Sequence, residues 1–188
     1  MQKELEAPLQ RAIQLLESRG LRYAIIGGIA LSQWSAVRVT NDVDIKVLVP
    51  DTDYPAVRNA IRTAFPERAR QHVPDNPLIV AVNIDGVIVD FLLALPGYEE
   101  NIITRAVLRD LGDFPAWVSS AEDLIIQKVV AGRGKDWLDV EALLIEQWGR
   151  LDEDYIEDWL AQFAEALETP AMLAQYGDVR ERVANIPR

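Results

Sequence analysis

The chain has 188 residues, 49% of them hydrophobic, with no cysteine and with 19 lysines and arginines against 30 aspartates and glutamates, a net charge of −11. That length gives one domain, or one domain with a helical appendage, with enough apolar content to bury a substantial core. The missing cysteines exclude disulfides, thiolate zinc sites and thiol catalysis, and the acidic balance argues against a broad nucleic-acid-binding face while leaving room for a small phosphate ligand that arrives with a divalent cation.

Residues 1–20, "MQKELEAPLQRAIQLLESRG", predict a charged amphipathic helix with Leu5, Leu9, Ile13 and Leu16 on one stripe and Gly20 as its stop. Nothing there resembles a signal peptide, and no apolar run reaches the roughly 20 residues that span a bilayer, so the expectation is a soluble cytoplasmic protein without membrane attachment. "LRYAIIGG" follows as a short strand ending in Gly27-Gly28, then "IALSQWSAV" as a short helix and "DVDIKVLV" as a strand with period-two alternation. "YPAVRNAIRTAF" predicts another helix, which the proline- and charge-rich "PERARQHVPDNP" converts to a loop carrying the single histidine, His72. One histidine cannot build a histidine-rich metal site. "LIVAVNIDGVIVDFLLAL" reads as two β-branched runs meeting at Asp85-Gly86, a tight hairpin turn. Residues 96–118 carry no pattern that assigns them.

From Ser119 onward the pattern is helix after helix. "SSAEDLIIQKVVAG" opens with a capping box of Ser119 and Glu122, and "KDWLDVEALLIEQWG", "DEDYIEDWLAQFAEAL" and "AMLAQYGDVRERV" follow. The layout is α/β (α+β): a small mixed sheet flanked by helices over residues 1–118, then a helical C-terminal subdomain over 119–188.

The chemistry gathers in "RVTNDVDIKV". Strand residues i and i+2 share a face about 6.5–7 Å apart, so Asp42, Asp44 and Lys46 point one way while Val43, Ile45 and Val47 fill a core. Two like charges at that distance raise each other's pKa unless a cation lies between them, and histidine-free carboxylate pairs suit magnesium. Asp90, inside the apolar run "GVIVDFLLAL", is costly to bury without compensation, and it completes a three-carboxylate cluster if its strand neighbours the first. The plainer readings are ordinary polarity on a wet strand face for Asp42 and Asp44, and an ion pair with Lys46 or an arginine for Asp90. A strand that ends in two glycines before a helix lets backbone N–H groups approach a phosphate closely, although most such pairs are simply turns.

In that order, "IIGGIALSQWSAVRVTNDVDIKV" resembles the signature of polymerase-β-like nucleotidyltransferases: a hydrophobic residue, Gly, Gly or Ser, a spacer, Asp-x-Asp, and a third Asp on a later strand. Thirteen residues separate Gly28 from Asp42, at the long end of the usual gap. "SSAEDLIIQKVVAGRGKDWLDVEALL" and "LDEDYIEDWL" are similar to the helices of the minimal and abortive-infection (toxin-type) branch, and the likeness spans roughly residues 20–160. The resemblance implies transfer of a nucleoside monophosphate from a nucleoside triphosphate, with two magnesium ions, to an acceptor hydroxyl. It makes Asp42 and Asp44 metal ligands, makes Asp90 the carboxylate that activates the acceptor directly or through the second metal, and has Gly27 and Gly28 cradle the β- and γ-phosphates. Gly28 stands where many relatives carry a phosphate-holding serine, so the backbone must supply that contact. Lys128 takes the place of a lysine that approaches the nucleotide phosphates in the family, its other reading being a stem laid along the core edge.

Asp136 and Asp139 share a helix face, with Arg133 one turn before Asp136. The resemblance makes them a polar network supporting the site, but the preference of a helix N-terminus for acids explains the two aspartates as well. Arg38 and Thr40 match a frequent Arg-x-Thr, and Arg38 beside a carboxylate cluster would steer phosphate. The five tryptophans fit helical cores better than a base-stacking platform. The acceptor is open: a protein or small-molecule hydroxyl suits the charge better than long RNA, while a basic groove at Arg38, Arg133 and Lys135 would hold a tRNA end. The competing expectation is a non-catalytic partner module of this fold, paired with a toxin or antitoxin protein.

Overall fold

The apolar stripe of the first helix and the alternating strands meet on one sheet. A computed structural model describes residues 2–35, 40–69 and 76–187, so that Arg38 and His72 lie outside the described residues. The chain divides into two compact units, Met1–Ala30 with Arg38–Ser119, and Leu31–Val37 with Ser120–Arg188.

In the first unit, helix α1 (Lys3–Ser18) buries Leu5, Leu9, Ala12, Ile13 and Leu16 at helical spacing. It ends as its glycine requires. Gly20 takes φ +65°, Gly20 N donates to Glu17 O at 3.0 Å, and Leu21 N donates to Leu16 O at 2.9 Å, a Schellman closure that only a residue at ease in the left-handed region makes cheaply. Strand β1 (Tyr23–Ile26) runs into helix α2 (Gly27–Trp34), and β2 (Asp42–Val47) runs back antiparallel to β1. Helix α3 (Tyr54–Ala64) is capped by Asp53, whose Oδ1 accepts from Ala56 N at 3.1 Å. Strands β3 (Ile79–Ile84) and β4 (Val87–Leu93) pair antiparallel through the two-residue turn Asp85-Gly86, both at positive φ (54° and 87°), as Asp-Gly hairpins need.

Residues 96–118, unassigned from sequence, form helix α4 (Tyr98–Thr104), strand β5 (Val107–Asp110) and strand β6 (Pro115–Val118). The mixed sheet has six strands in the order β3-β4-β2-β1-β6-β5. Its interior faces differ. Val43, Ile45 and Val47 with Val80, Val82, Val89, Phe91 and Leu93 are fully or almost fully buried, and α1 and α3 pack on the sheet. On the opposite face Ala24 and Ile26 cluster with Ala94 and with Ile102 and Ile103 of α4.

The second unit holds α5 (Ala121–Ala131), α6 (Gly134–Glu146), α7 (Glu153–Ala166) and α8 (Ala171–Ala184), with α5 packed against the other three. The cap of α5 corrects the sequence reading. Ser119 is fully buried, and its N–H donates to Ile25 O at 2.9 Å beside β1, so the cap is Ser120: its Oγ accepts from Asp123 N at 3.1 Å and donates to Asp123 Oδ2 at 2.7 Å. Among the described residues no helix is long and apolar enough to cross a membrane.

Candidate active site

Sheet register decides which carboxylates meet. β2 and β4 are parallel neighbours, and Asp44 is the direct partner of Asp90. Direct partners point to the same face, with backbones about 4.8 Å apart, so these two side chains stand next to each other. Asp42 shares the face but sits one pair further toward the open end, opposite Ile88. Burial follows the same gradient: Asp42 is exposed, Asp44 half-buried, and Asp90 8% exposed. Asp90 therefore meets Asp44 through a strand order that places β4, not β3, beside β2.

The glycines abut this group. Gly27 begins α2 at φ +65°, and a Cβ built on it would lie 2.2 Å from Asp44 Oδ2 and 3.0 Å from its Cγ. No side chain fits there. A Cβ on Gly28 would lie 2.6 Å from Thr40 Cβ and 2.7 Å from Thr40 Oγ1. Thr40, which a strand position alone explains, is thus packed on Gly28, and its hydroxyl donates to Asp42 Oδ1 at 2.7 Å. Gln2 Nε2 donates to Thr40 O at 2.9 Å and anchors the entry to β2. Gly27 thus abuts the Asp44 carboxylate and Gly28 abuts Thr40, at the start of a helix, where backbone N–H groups can approach an anion.

Lys46 lies on the same face, next to Leu92 and Ala24 in register. The ion pair it makes is with Glu99 of α4: Nζ to Oε1 is 2.5 Å. Glu99 Oε2 also accepts from Leu95 N at 2.7 Å. Sequence reasoning missed Glu99, although Gly97 followed by Glu99-Glu100 is a helix-start signal, with Glu100 Oε2 accepting from Gly97 N at 3.2 Å.

All donors in the group are oxygens, which suits magnesium. Among the described residues no set of three or more histidines, cysteines or acids is grouped tightly enough to hold a metal by itself. Asp42, Asp44 and Asp90 do not form a closed cage. Magnesium, however, usually keeps several waters and takes one or two carboxylates together with substrate phosphates. The Asp44–Asp90 pair, with Gly27 packed against it, fits an ion that comes in with a triphosphate.

Lys128 belongs to the second unit. It is 8% exposed, and its Nζ lies 2.7 Å from Asp139 Oδ2 and 3.2 Å from Asp136 Oδ1. Asp136 is fully buried and also receives Arg133 Nε at 2.5 Å and Nη2 at 3.1 Å. Burial pushes the Asp136 carboxyl upward, but hydrogen bonds from Arg133 and Lys128 outweigh it and hold the group below the usual carboxylate range. Lys128, Arg133, Asp136 and Asp139 form one α5–α6 ion network, so neither solvent contact of the Lys128 head nor helix-end preference alone accounts for them. Asp123, also fully buried, accepts from Tyr155 Oη at 2.9 Å and ties α7 to α5.

The model of a family described as a nucleotidyltransferase of unknown function (DUF6036) matches residues 4–184. Among solved structures, an antigenic nucleotidyltransferase-like protein from Paracoccidioides brasiliensis superposes with a TM-score of 0.56 at 18% identity, over 93% of this chain and 92% of that one. The solution structure of the antibiotic-resistance factor ANT(2'')-Ia gives 0.58 at 16% identity, over 89% and 95%. No curated protein sequence matches the chain. At these identities the two structures speak for the fold.

Proposed function

The chain belongs to the DUF6036 family of nucleotidyltransferases, and from that premise we propose that it transfers a nucleoside monophosphate from a nucleoside triphosphate to an acceptor hydroxyl at the Asp42–Asp44–Asp90 face. The observation that carries this reading is the direct pairing of Asp44 with Asp90 beside a glycine whose missing Cβ leaves room only for backbone.

The residues divide the work. N–H groups at Gly27 and Gly28, at the start of α2, would hold the β- and γ-phosphates. Asp42 and Asp44 would hold magnesium, which when bound with the triphosphate neutralises charge on the attacking and leaving oxygens. Thr40 would fix the Asp42 carboxylate through its 2.7 Å hydrogen bond. Asp90, largely removed from water, would accept the acceptor hydroxyl proton. The acceptor oxygen then bonds to the α-phosphorus, the bond from that phosphorus to the bridging oxygen breaks, and pyrophosphate leaves with the electron pair. The net charge of −11 favours a protein or small-molecule hydroxyl over long RNA.

The test is label transfer from each α-labelled triphosphate, with magnesium, in a cell extract. One acceptor should become labelled, and Asp44→Asn should cut the rate about a thousandfold, as loss of a preorganised charge at a reacting centre does, with the melting temperature retained. Native-rate labelling by folded Asp44→Asn would overturn the assignment. Absence of labelling from every triphosphate would leave the non-catalytic partner module as the reading.

A further inference from the structure

At the end of β1 away from Gly27, the first unit encloses a second recess. Tyr23 opens β1 and pairs with Val47, three register rows from the Ile26–Asp44 pair, or about 10 Å along the strand. Beside it a cavity of about 420 Å3 is lined by residues that include Glu17, Leu21, Arg22, Ile103 and Trp117. That volume suits a small organic ligand. Tyr23 is 3% exposed, and its hydroxyl oxygen makes no hydrogen bond among the described residues. The Glu17 carboxylate and the Trp117 backbone lie close enough to act on its proton, but neither meets it at hydrogen-bonding geometry. Burial first, and then the negative charge of Glu17, pushes the Tyr23 hydroxyl up to about 12, so it stays protonated at neutral pH. A buried polar group without a partner costs stability unless something from solution meets it.

The groups around the hydroxyl select the chemistry of that partner. Glu17 lies in the last turn of α1, which holds no base and where the helix carbonyls add to the negative potential. Trp117 is 44% exposed and offers an indole ring, whose face attracts cations. Among the described residues Arg22 is the one base in the lining, and it is exposed and therefore solvated. We propose that this cavity binds a small organic ammonium carried on an apolar or aromatic body. The cation meets the Glu17 carboxylate and the Tyr23 hydroxyl oxygen, and the body lies against Leu21, Ile103 and Trp117. The site does not depend on the reading of the carboxylate face, and the net charge of −11 enriches cations around it.

The experiment is calorimetric titration of the intact protein at neutral pH with phenethylamine, which is protonated there. Phenylethanol, of similar shape without the charge, should bind about tenfold more weakly, and phenylpropionate, which Arg22 alone would favour, more weakly still. Tyr23→Phe should weaken phenethylamine about tenfold, the loss of one hydrogen bond to a charged group. Without ligand it should melt no lower than wild type, because the hydroxyl removed had no partner. Glu17→Gln, an exposed change that leaves the core intact, should weaken binding about fivefold, the upper range for an exposed ion pair. Absence of phenethylamine binding overturns the site. So does phenylethanol binding equally well, which would leave only an apolar recess, and so does unchanged affinity in either folded variant. A lower melting temperature in ligand-free Tyr23→Phe overturns it as well, since the protein itself would then be holding the hydroxyl.

Discussion

Two groups of buried or half-buried carboxylates show opposite logic. In the second unit, Asp136 and Asp139 face Lys128 and Arg133 at 2.5–3.2 Å, and like charges are interleaved with opposite ones. In the first unit, Asp44 and Asp90 stand side by side on adjacent strands while the one cation of those strands is drawn away to Glu99. A paired group stabilises a local fold and leaves no charge over. Carboxylates gathered on one sheet face repel one another.

Breaking the paired group should produce the largest effect on stability. Lys128→Met leaves Asp136 and Asp139 buried without their shared cation, and it should cost about 3–5 kcal/mol, read from urea unfolding. A loss under about 1 kcal/mol, the range of an exposed pair, would place Lys128 outside the scaffold and erase the contrast.

At the gathered group, Gly27→Ala forces a side chain into the left-handed region and against the Asp44 carboxylate, 2.2 Å away. Strain of this kind costs about 1–3 kcal/mol, and triphosphate-dependent stabilisation should disappear because Asp44 must move. Normal nucleotide-dependent melting in the alanine variant would separate Gly27 from the site.

Acid sharpens the comparison from the other side. The folded Asp136 carboxyl is held below its unfolded value, so the unfolded chain binds its proton more tightly. This contribution is present above about pH 4, the ordinary carboxylate value, and is lost as pH falls through the depressed folded value. The pH dependence of stability below that point should therefore be shallower in Asp136→Asn than in wild type. Equal slopes would mean that the paired group is not what holds the proton off.

The smallest change belongs to Asp90→Asn in chelator. Removing one of two adjacent negative charges at nearly constant volume relieves repulsion, so the metal-free variant should melt at or slightly above wild type. A clear drop in a thermal melt would mean that Asp90 holds a cation of the protein, and that the two groups follow the same logic after all.

Much of the candidate site was readable from local spacing. Period two in "DVDIKV" sets Asp42, Asp44 and Lys46 on one face whatever the sheet around them, and Asp-Gly sets the β3–β4 turn because its φ requirements are local. The four-residue β5 and β6 gave no such signal. β5 is mostly exposed and β6 opens on a proline, so the alternation that marks a half-buried strand is missing. The α5 cap shifted by one residue because a backbone bond from Ser119 to β1, invisible to local pattern, claimed that residue first.

By itself the sequence determined which face of its own element each candidate residue occupies, since helix and strand periods are properties of the backbone. Only the tertiary structure decided who meets whom. Asp90 reaches Asp44 because β4 lies parallel to β2 in matching register, and a slip of one residue would have turned it to the opposite face. Spacing set Lys46 beside the strand aspartates and Lys128 on an apolar helix, yet one is held by a glutamate 53 residues away and the other by two aspartates on the next helix. Charge pairing acts through space at a few ångströms, and no period along the chain encodes that distance.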